Sequence, residues 1–392
     1  MIAFRKLLIR TWPLLLAVFV LLGLPFALTF TREGRVAARA AVYLPDMMVE
    51  LPVRPVEWVS EEPTRERVTI EYESREGPRE IEADLYTPAG GGSGRRGIVF
   101  SMGSRPLPLD DERLVRIAED TARAGVVILV PFSERLDDMR IEPEEIDALV
   151  AEFEYVQALP EVDPERVGYF GASVGGSLAL VAAADPRIAD DVDQVVSFGG
   201  YYDALDTFGA IATERIEYED VSETWDPRWH AKRVMAHQLI NALEDEQDRE
   251  MLRRWYLEGE DATPVELATI SPVARNSYEF LTNRDPAAVQ ELIDRLPAAA
   301  IEKLDYLSPR THVEELGAEL FIVHDRADPF IPYTESRRLE EALGDDVGAE
   351  AHFDEIRLFE HVTPKLNQRP DIIALDSARV MFRMYQLLLS WE

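Results

Sequence analysis

The chain has 392 residues, 46% of them hydrophobic, which is enough for a large core in one or two domains. Its formal net charge is −33, because 74 acidic residues outnumber 41 basic ones, and this excess argues against nucleic acid as a partner. Cysteine is absent, which excludes disulfides, a thiolate nucleophile and a cysteine-based metal site.

The N-terminus carries a stretch without charge, residues 11–30, which is preceded by three basic residues. About 20 apolar residues are enough to cross a bilayer as a helix. A cleaved signal peptide is the alternative, but its apolar core is normally shorter and a cleavage site follows it closely. We therefore predict an uncleaved single-pass membrane anchor over residues 1–30, with the rest of the chain outside the cytoplasm. A stalk over 31–64 and a folded domain over 65–392 are predicted to follow.

From residue 65 onwards, short apolar strands alternate with amphipathic helices. This alternation predicts βαβ units and a mostly parallel, doubly wound α/β sheet, whose ligands bind at the carboxyl ends of the strands. The first two strands are expected to form a hairpin at the sheet edge. The predicted strands lie at 68–72, 81–86, 97–100, 126–130, 167–170, 195–198, 320–323 and 356–359, and the predicted helices at 110–124, 143–159, 178–184, 335–343 and 372–391.

The alternation stops over residues 201–305, which read as helical and rich in aromatic side chains. We expect this block to be an insertion, or lid, that covers the carboxyl edge of the sheet. Its aromatic residues either line an apolar pocket or belong to the core, and the sequence leaves both possibilities open; they are Tyr201, Tyr202, Trp225, Trp229 and Trp255.

Residues 171–175 read G-A-S-V-G, between a predicted strand and a predicted helix. In this setting a G-x-S-x-G sequence places the serine on a sharp turn above the sheet, next to the helix N-terminus. Side chains at Gly171 or Gly175 would collide with the neighbouring backbone. A glycine-rich loop with a surface serine is the alternative, but the strand before and the helix after favour Ser173 as a nucleophile.

A serine hydroxyl needs a base, and the base needs an acid that fixes its tautomer. Of the six histidines, His361 lies in the loop two residues past the end of a predicted strand, so we predict that it is the base. Asp328 is the preferred acid, since it opens a loop after the strand that ends at Val323. Asp325 in the same loop and Asp203 after an earlier strand remain alternatives.

The oxyanion of such a reaction needs two hydrogen-bond donors. The backbone N–H of Val174 at the helix N-terminus is the first that we expect. The second is expected from the loop after residue 100, at the N–H of Ser104.

Three stretches resemble the α/β-hydrolase fold, and within it the dienelactone hydrolase-like and prolyl-oligopeptidase-like serine hydrolases. Residues 162–176 resemble the nucleophile elbow, 323–332 the acid loop and 359–361 the base loop. Two positions depart from that pattern: Met102 stands where the family usually has His, and Asp325 where it usually has Gly. The resemblance implies hydrolysis of an ester, thioester or amide through an acyl-serine intermediate, with no cofactor or metal.

The sequence thus predicts a membrane-anchored serine hydrolase that acts on carboxylic esters of small molecules. A peptidase or an acyltransferase with the same triad is one alternative, although a peptidase of this type usually carries a further large domain. A catalytically inactive, membrane-tethered binding domain is the other.

Overall fold

The structure of the chain is a computed structural model that describes residues 31–48, 54, 56–105, 107–344, 349–365 and 367–391. The predicted anchor over residues 1–30 lies outside the described residues. The chain divides into two compact units. The larger runs from Glu62 to Ile373, and the other combines the residues before Glu62 with those from Ala374 onwards.

The larger unit is built on an eight-stranded sheet of order β1-β2-β4-β3-β5-β6-β9-β10. β1 and β2 form the predicted antiparallel hairpin, and β2 is also antiparallel to β4, whereas the other neighbours are parallel. The strands are β1 Thr64–Ser74, β2 Gly77–Thr87, β3 Arg95–Ser101, β4 Val127–Phe132, β5 Val162–Ala172, β6 Val192–Phe198, β9 Glu319–Asp325 and β10 Ala351–Ile356.

Helices cover both faces of this sheet. From β3 to β4 the chain crosses the sheet in one direction, and from β4 to β5 it crosses in the other. Because crossovers between parallel strands are right-handed, the helices in these two connections lie on opposite faces of the sheet. Within the larger unit, the helices before β6 are α3 Glu112–Arg123, α4 Glu134–Asp137, α5 Glu144–Gln157 and α6 Val174–Ala183. All residues of α6 are buried, as expected for a helix that packs against β5, β6 and α5.

The predicted insertion lies between β6 and β9 and is mainly helical. It also contains a small antiparallel hairpin, β7 Arg215–Tyr218 with β8 Val221–Thr224, which the sequence did not lead us to expect. Its helices are α7 Ala204–Thr213, α8 Trp229–Asn241, α9 Glu246–Leu252 with a π-helical turn Arg253–Leu257, α10 Pro264–Leu267, α11 Pro272–Thr282, α12 Val289–Ile293 and α13 Ala298–Tyr306; three short 3₁₀ turns are Pro286–Ala288, Pro309–Thr311 and Val313–Glu315.

The predicted last strand at 356–359 is wrong. The strand that extends the sheet is β10, Ala351–Ile356, which follows α14 Thr334–Leu343 and pairs with β9. Residues 351–355 of β10 are all half-buried, so this edge strand lacks the apolar run that marks the other strands. The more apolar segment that follows forms only a two-residue pair, β11 Phe359–Glu360 with β12 Thr363–Pro364.

The other unit contains α1 Arg32–Met48 and α2 Val56–Val59, within the segment expected to be a stalk. The C-terminal helix α15, Pro370–Trp391, enters it at Ala374. Val36 and Ala40 of α1 pack with Leu388 of α15, and the Arg32 guanidinium donates a hydrogen bond to the Leu389 carbonyl at 2.7 Å. In the part of the chain that the structure describes, every helix is too short or too polar to span a bilayer.

Candidate active site

Ser173 occupies the turn between β5 and α6. Its backbone angles are φ 59° and ψ −135°, a conformation that costs a residue with a side chain about 1–3 kcal/mol. The turn is fixed by neighbouring backbone, since Ser173 N donates to the Phe198 carbonyl at 2.8 Å and Gly176 N donates to the Ser173 carbonyl at 2.8 Å. The predicted strand–turn–helix context of this serine is confirmed.

The glycines on either side of Ser173 are required by close backbone contacts. A methyl group at Gly171 would lie 2.5 Å from the Gly175 carbonyl oxygen. One at Gly175 would lie 2.2 Å from the Ser101 carbonyl oxygen at the end of β3. The predicted collisions at both positions are therefore confirmed, and they show how tightly the loop after β3 packs against the elbow.

Gly103 brings that same loop onto the serine. A methyl group at this position would lie 2.7 Å from Ser173 Cβ and 3.1 Å from Ser173 Oγ. The neighbouring Ser104 and Val174 both line a cavity beside Ser173. The two residues expected to supply the oxyanion donors are thus at the site, although their roles as donors stay a prediction.

Asp328 and His361 are joined directly. Asp328 Oδ2 lies 2.5 Å from His361 Nδ1, and both side chains are buried. Asp328 Oδ1 accepts hydrogen bonds from the N–H groups of Phe330 at 2.7 Å and Ile331 at 3.1 Å, so the carboxylate is held by its own loop. The His361 ring also packs on Phe330, with centroids 4.8 Å apart.

Burial alone would raise the pKa of Asp328, but the neighbouring charge of His361 and hydrogen bonds from His324 and His361 hold this pKa below its ordinary value. An ionised carboxylate is what a base needs as a partner, since it fixes the imidazole tautomer and stabilises the imidazolium.

The two other candidate acids have different partners. Asp203 accepts hydrogen bonds from Leu205 N at 2.9 Å and Asp206 N at 3.3 Å and so caps α7, and it forms an ion pair with Arg310 at 2.7 Å. Asp325 accepts hydrogen bonds from Ala327 N at 2.7 Å and from Phe359 N at 2.8 Å. Burial, the largest influence, raises the pKa of Asp325 to about 6. Of the three, Asp328 has the geometry of an acid that orients His361.

His361 reaches the sheet edge through a turn between β11 and β12, where its backbone φ is 61°. A methyl group at Gly199, which follows β6, would lie 3.1 Å from His361 Cε1 and Nδ1. Because the Phe198 carbonyl accepts the hydrogen bond from Ser173 N, Ser173 and His361 both lie next to the carboxyl end of β6. The loops after β3, β5 and β6 therefore lie at one edge of the sheet.

The insertion also contributes to this edge. Trp225 Nε1 donates to the Asp328 carbonyl at 2.8 Å and Arg228 N donates to the Pro329 carbonyl at 2.7 Å, so the segment before α8 holds the acid loop. Of the five aromatic residues that could line an apolar pocket, Tyr201 lines the cavity. The other four, Tyr202, Trp225, Trp229 and Trp255, are not among its lining residues.

His230 is the site residue that sequence reasoning missed. It lies in α8, lines the cavity beside Ser173, and places Nε2 3.3 Å from Ser104 Oγ. Burial, and then the charge of Arg105, lower the pKa of His230, so it is neutral at neutral pH. A histidine inside a helical insertion has no local signature, because only the docking of α8 on the sheet edge brings it to the serine.

A cation site was not expected, and one group in the described residues brings three possible ligands together. Glu319, Glu350 and His352 offer ligand atoms within 4.8 Å of one another. They lie at the amino ends of β9 and β10, at the opposite edge of the sheet from Ser173. This group is therefore separate from the chemistry of Ser173 and His361.

The sheet order, the crossovers and the serine on the turn after β5 define the α/β-hydrolase fold. The family model for acetyl xylan esterase (AXE1) matches residues 146–224, about a fifth of the chain, which include the elbow. A segment of 53 residues is 53% identical to a putative phosphoribosyl transferase of Mycobacterium tuberculosis strain H37Rv; it covers 13% of this chain and only 12% of that protein.

Two solved structures are similar in fold. The acylaminoacyl peptidase of Pyrococcus horikoshii has 14% sequence identity and a TM-score of 0.49, over 83% of this chain and 42% of that one. The esterase of Pyrobaculum calidifontis has 14% identity and a TM-score of 0.44, over 92% of this chain and 94% of that one.

Proposed function

We propose that the chain is a serine hydrolase that cleaves carboxylic esters of small molecules through an acyl-serine intermediate. The observation that carries the proposal is the hydrogen bond of 2.5 Å between Asp328 and His361, at the strand ends that hold Ser173 on its strained turn. The match of the elbow region to an acetyl xylan esterase family supports an ester rather than an amide as the substrate.

In this proposal Ser173 Oγ attacks the ester carbonyl carbon while His361 Nε2 takes the hydroxyl proton. The oxyanion accepts hydrogen bonds from the N–H groups of Val174 and Ser104. Collapse of the tetrahedral intermediate breaks the bond to the alcohol oxygen, and His361 returns the proton to the leaving alcohol. Water, deprotonated by His361, then attacks the acyl-serine and releases the acid. Asp328 stays ionised throughout and stabilises the imidazolium.

The cavity beside Ser173 supports a short acyl group. Its volume is about 50 Å³. Most of the residues that line it are apolar, among them Phe208 and Val234. Besides Ser173, the polar lining residues include Ser104, Thr207 and His230. A cavity of about 10–15 Å³ by the same measure holds one water, so this space has room for a few water-sized groups and suits an acetyl or propionyl group better than a long chain. Because α7 and α8 supply these walls, we propose that the insertion acts as the lid that sets acyl specificity.

The test is active-site labelling of the folded protein with a fluorophosphonate, followed by turnover of short-chain nitrophenyl esters and of peptide substrates. The proposal expects covalent labelling at Ser173, ester turnover, and loss of both in Ser173→Ala. A folded protein that the probe does not label would favour the inactive binding domain. Peptide turnover faster than ester turnover would favour the peptidase, and ester cleavage retained by Ser173→Ala would remove Ser173 as the nucleophile.

We further propose that residues 1–30 anchor the protein in a membrane as a single-pass helix, with the hydrolase domain outside the cytoplasm. The support is the uncharged stretch over 11–30 behind three basic residues. Membrane fractionation of the full chain, with a variant from which residues 1–30 are deleted as control, tests the anchor. Protease accessibility of intact cells tests the orientation.

A further inference from the structure

One short segment of the insertion, residues 225–230, contacts three of the loops that meet at the sheet edge. Its tryptophan side chain and its backbone hold the acid loop through the two hydrogen bonds described above. The Arg228 guanidinium pairs with Glu360 of the base loop. His230, at the start of α8, contacts Ser104 in the loop after β3. The insertion is therefore joined to each loop that brings a proposed catalytic group to the nucleophile.

The contact between His230 and Ser104 is the one of these whose purpose is not yet assigned. His230 Nε2 lies 3.3 Å from Ser104 Oγ, and both residues line the cavity beside the nucleophile. A neutral imidazole carries one donor and one acceptor nitrogen, and a serine hydroxyl both donates and accepts, so the pair forms a hydrogen bond in either tautomer. The Ser104 backbone also interacts with the ring, and this contact raises the pKa of His230 that burial lowers.

The chain on either side of Ser104 is fixed at two points. Gly103 packs so closely on the nucleophile that a methyl group there would lie 2.7 Å from the serine Cβ. Arg105 N donates to the Leu136 carbonyl at 2.5 Å. The backbone φ of Arg105 is 60°, a left-handed conformation that persists in a residue with a side chain only when its surroundings hold it. Ser104 lies between these points, and His230 holds its side chain from the insertion.

The ring of His230 is itself positioned by packing. It meets Phe330 of the acid loop edge-on, with ring centroids 6.2 Å apart. The same phenyl ring packs on His361, with centroids 4.8 Å apart. His230 is thus placed between the acid loop and the loop after β3, where a shift of either loop would change its distance to Ser104.

We propose that His230 is a positioning residue for the reaction, whose hydrogen bond to Ser104 Oγ holds the loop after β3 so that the Ser104 N–H points at the oxyanion. The inference rests on the proposed function, in which this N–H is one of the two oxyanion donors. Such a donor acts mainly in the transition state, because the negative charge develops there. Loss of the His230 hydrogen bond should therefore lower kcat and leave KM nearly unchanged.

The experiment follows hydrolysis of nitrophenyl acetate by the full chain and its variants. His230→Phe removes the hydrogen bond but keeps an aromatic ring beside Phe330, whereas His230→Gln keeps a hydrogen-bonding nitrogen at a similar distance from the backbone. Ser104→Ala removes the hydroxyl and keeps the backbone N–H. His237→Phe is the matched control, since this histidine lies two turns further along the same helix and is not among the lining residues of the cavity. Circular dichroism and melting curves establish that each variant folds.

The proposal expects kcat to fall roughly 10- to 100-fold in His230→Phe, with KM within about twofold of the wild type, and to fall less than about threefold in His230→Gln. A variant that combines His230→Phe with Ser104→Ala should lose no more than the weaker of the two single variants, because both remove the same hydrogen bond. Trifluoroacetone, whose adduct with a serine carries an oxyanion, should bind His230→Phe more weakly by the same factor as kcat/KM falls.

The proposal is overturned if a folded His230→Phe variant keeps the wild-type kcat, or if His237→Phe loses as much. It is equally overturned if the losses of the two single variants multiply in full in the combined variant, since His230 and Ser104 would then act separately. A folded wild-type chain that neither reacts with a fluorophosphonate nor cleaves the ester is a different result. It would overturn the proposed function, and this inference with it.

Discussion

Phe359 N donates a hydrogen bond of 2.8 Å to Asp325 Oδ2, and this bond ties the segment before His361 to the loop that carries Asp328. The other oxygen of Asp325 accepts from Ala327 N within its own loop. A single buried carboxyl therefore sets the distance between the loops of the proposed base and acid. The aspartate that departs from the family pattern has a positioning role that a glycine could not fill.

We predict that Asp325→Asn weakens catalysis without removing it. The amide has only one acceptor oxygen, so one of the two backbone N–H groups loses its partner, which costs about 1–3 kcal/mol of stability. A shift of His361 by a fraction of an ångström reduces kcat by roughly 10- to 100-fold. Melting temperature and kcat on a nitrophenyl ester measure the two effects. Asp190→Asn, at an exposed position, serves as control, and unchanged kcat in Asp325→Asn would refute the positioning role.

Asp328→Asn should lower kcat by about 10⁴-fold with little change in KM, because the amide stabilises the wrong imidazole tautomer. Asp203→Asn tests the rival acid. It removes the charge that pairs with Arg310 at 2.7 Å, whereas Asn caps α7 about as well as Asp, so it should cost at most about 1 kcal/mol of stability and leave kcat almost unchanged. Steady-state kinetics of both variants test which aspartate is the acid. A larger loss of kcat in Asp203→Asn than in Asp328→Asn would make Asp203 the acid.

Gly103→Ala should disable the site while the chain still folds. The added methyl group would lie 2.7 Å from Ser173 Cβ, so the loop that carries Ser104 has to move away from the nucleophile. Loss of one oxyanion donor reduces kcat by about 10²- to 10³-fold. Gly317→Ala is the matched control, because no heavy atom of another described residue lies within 4 Å of the added methyl group. Equal kcat in the two variants would contradict the predicted oxyanion loop.

Val234→Ala should widen the acyl cavity and shift preference towards longer chains. Val234 lines the cavity from α8, and the removed methyl groups free space that a longer acyl chain can fill. We expect the ratio of kcat/KM for hexanoate over acetate esters to rise roughly tenfold. Val195→Ala in the core of β6 provides the same loss of volume away from the cavity. A ratio raised equally by both variants would argue against the cavity as the acyl site.

The stability of the larger unit should depend on pH through Glu145. Burial, the largest influence, raises its pKa to about 7, above the ordinary value of 4.5, although hydrogen bonding by Ser133 and the charge of Arg135 oppose this. The folded state then binds the proton more tightly than the unfolded state, so this stabilisation is full below pH 4.5 and is lost as pH rises to about 7. Glu145→Gln removes that dependence.

Denaturant titrations between pH 4.5 and 8 test this prediction. Relative to the wild type, Glu145→Gln should gain stability as pH rises, by about 1–3 kcal/mol at pH 8. The exposed Glu154→Gln should keep the wild-type profile. A difference between Glu145→Gln and wild type that is constant across the pH range would show that Glu145 does not titrate on folding.

The sequence alone determined the parallel sheet and the position of Ser173. Both follow from local rules: apolar runs alternate with amphipathic helices, and glycines stand where a side chain would strike backbone. The hairpin at the sheet edge was predictable for the same reason. The edge strand β10 was not, because all its residues but Ile356 are half-buried, which leaves no apolar pattern in the chain.

Only the tertiary structure decided which polar residues meet at the serine. Asp203, Asp325 and Asp328 all follow strands of one sheet. Their sequence positions do not show which of them caps a helix, which links two loops and which contacts His361. His230 reaches the site only because α8 docks on the sheet edge, a contact between residues far apart in the chain. Such contacts are set by packing and burial, which local sequence does not encode.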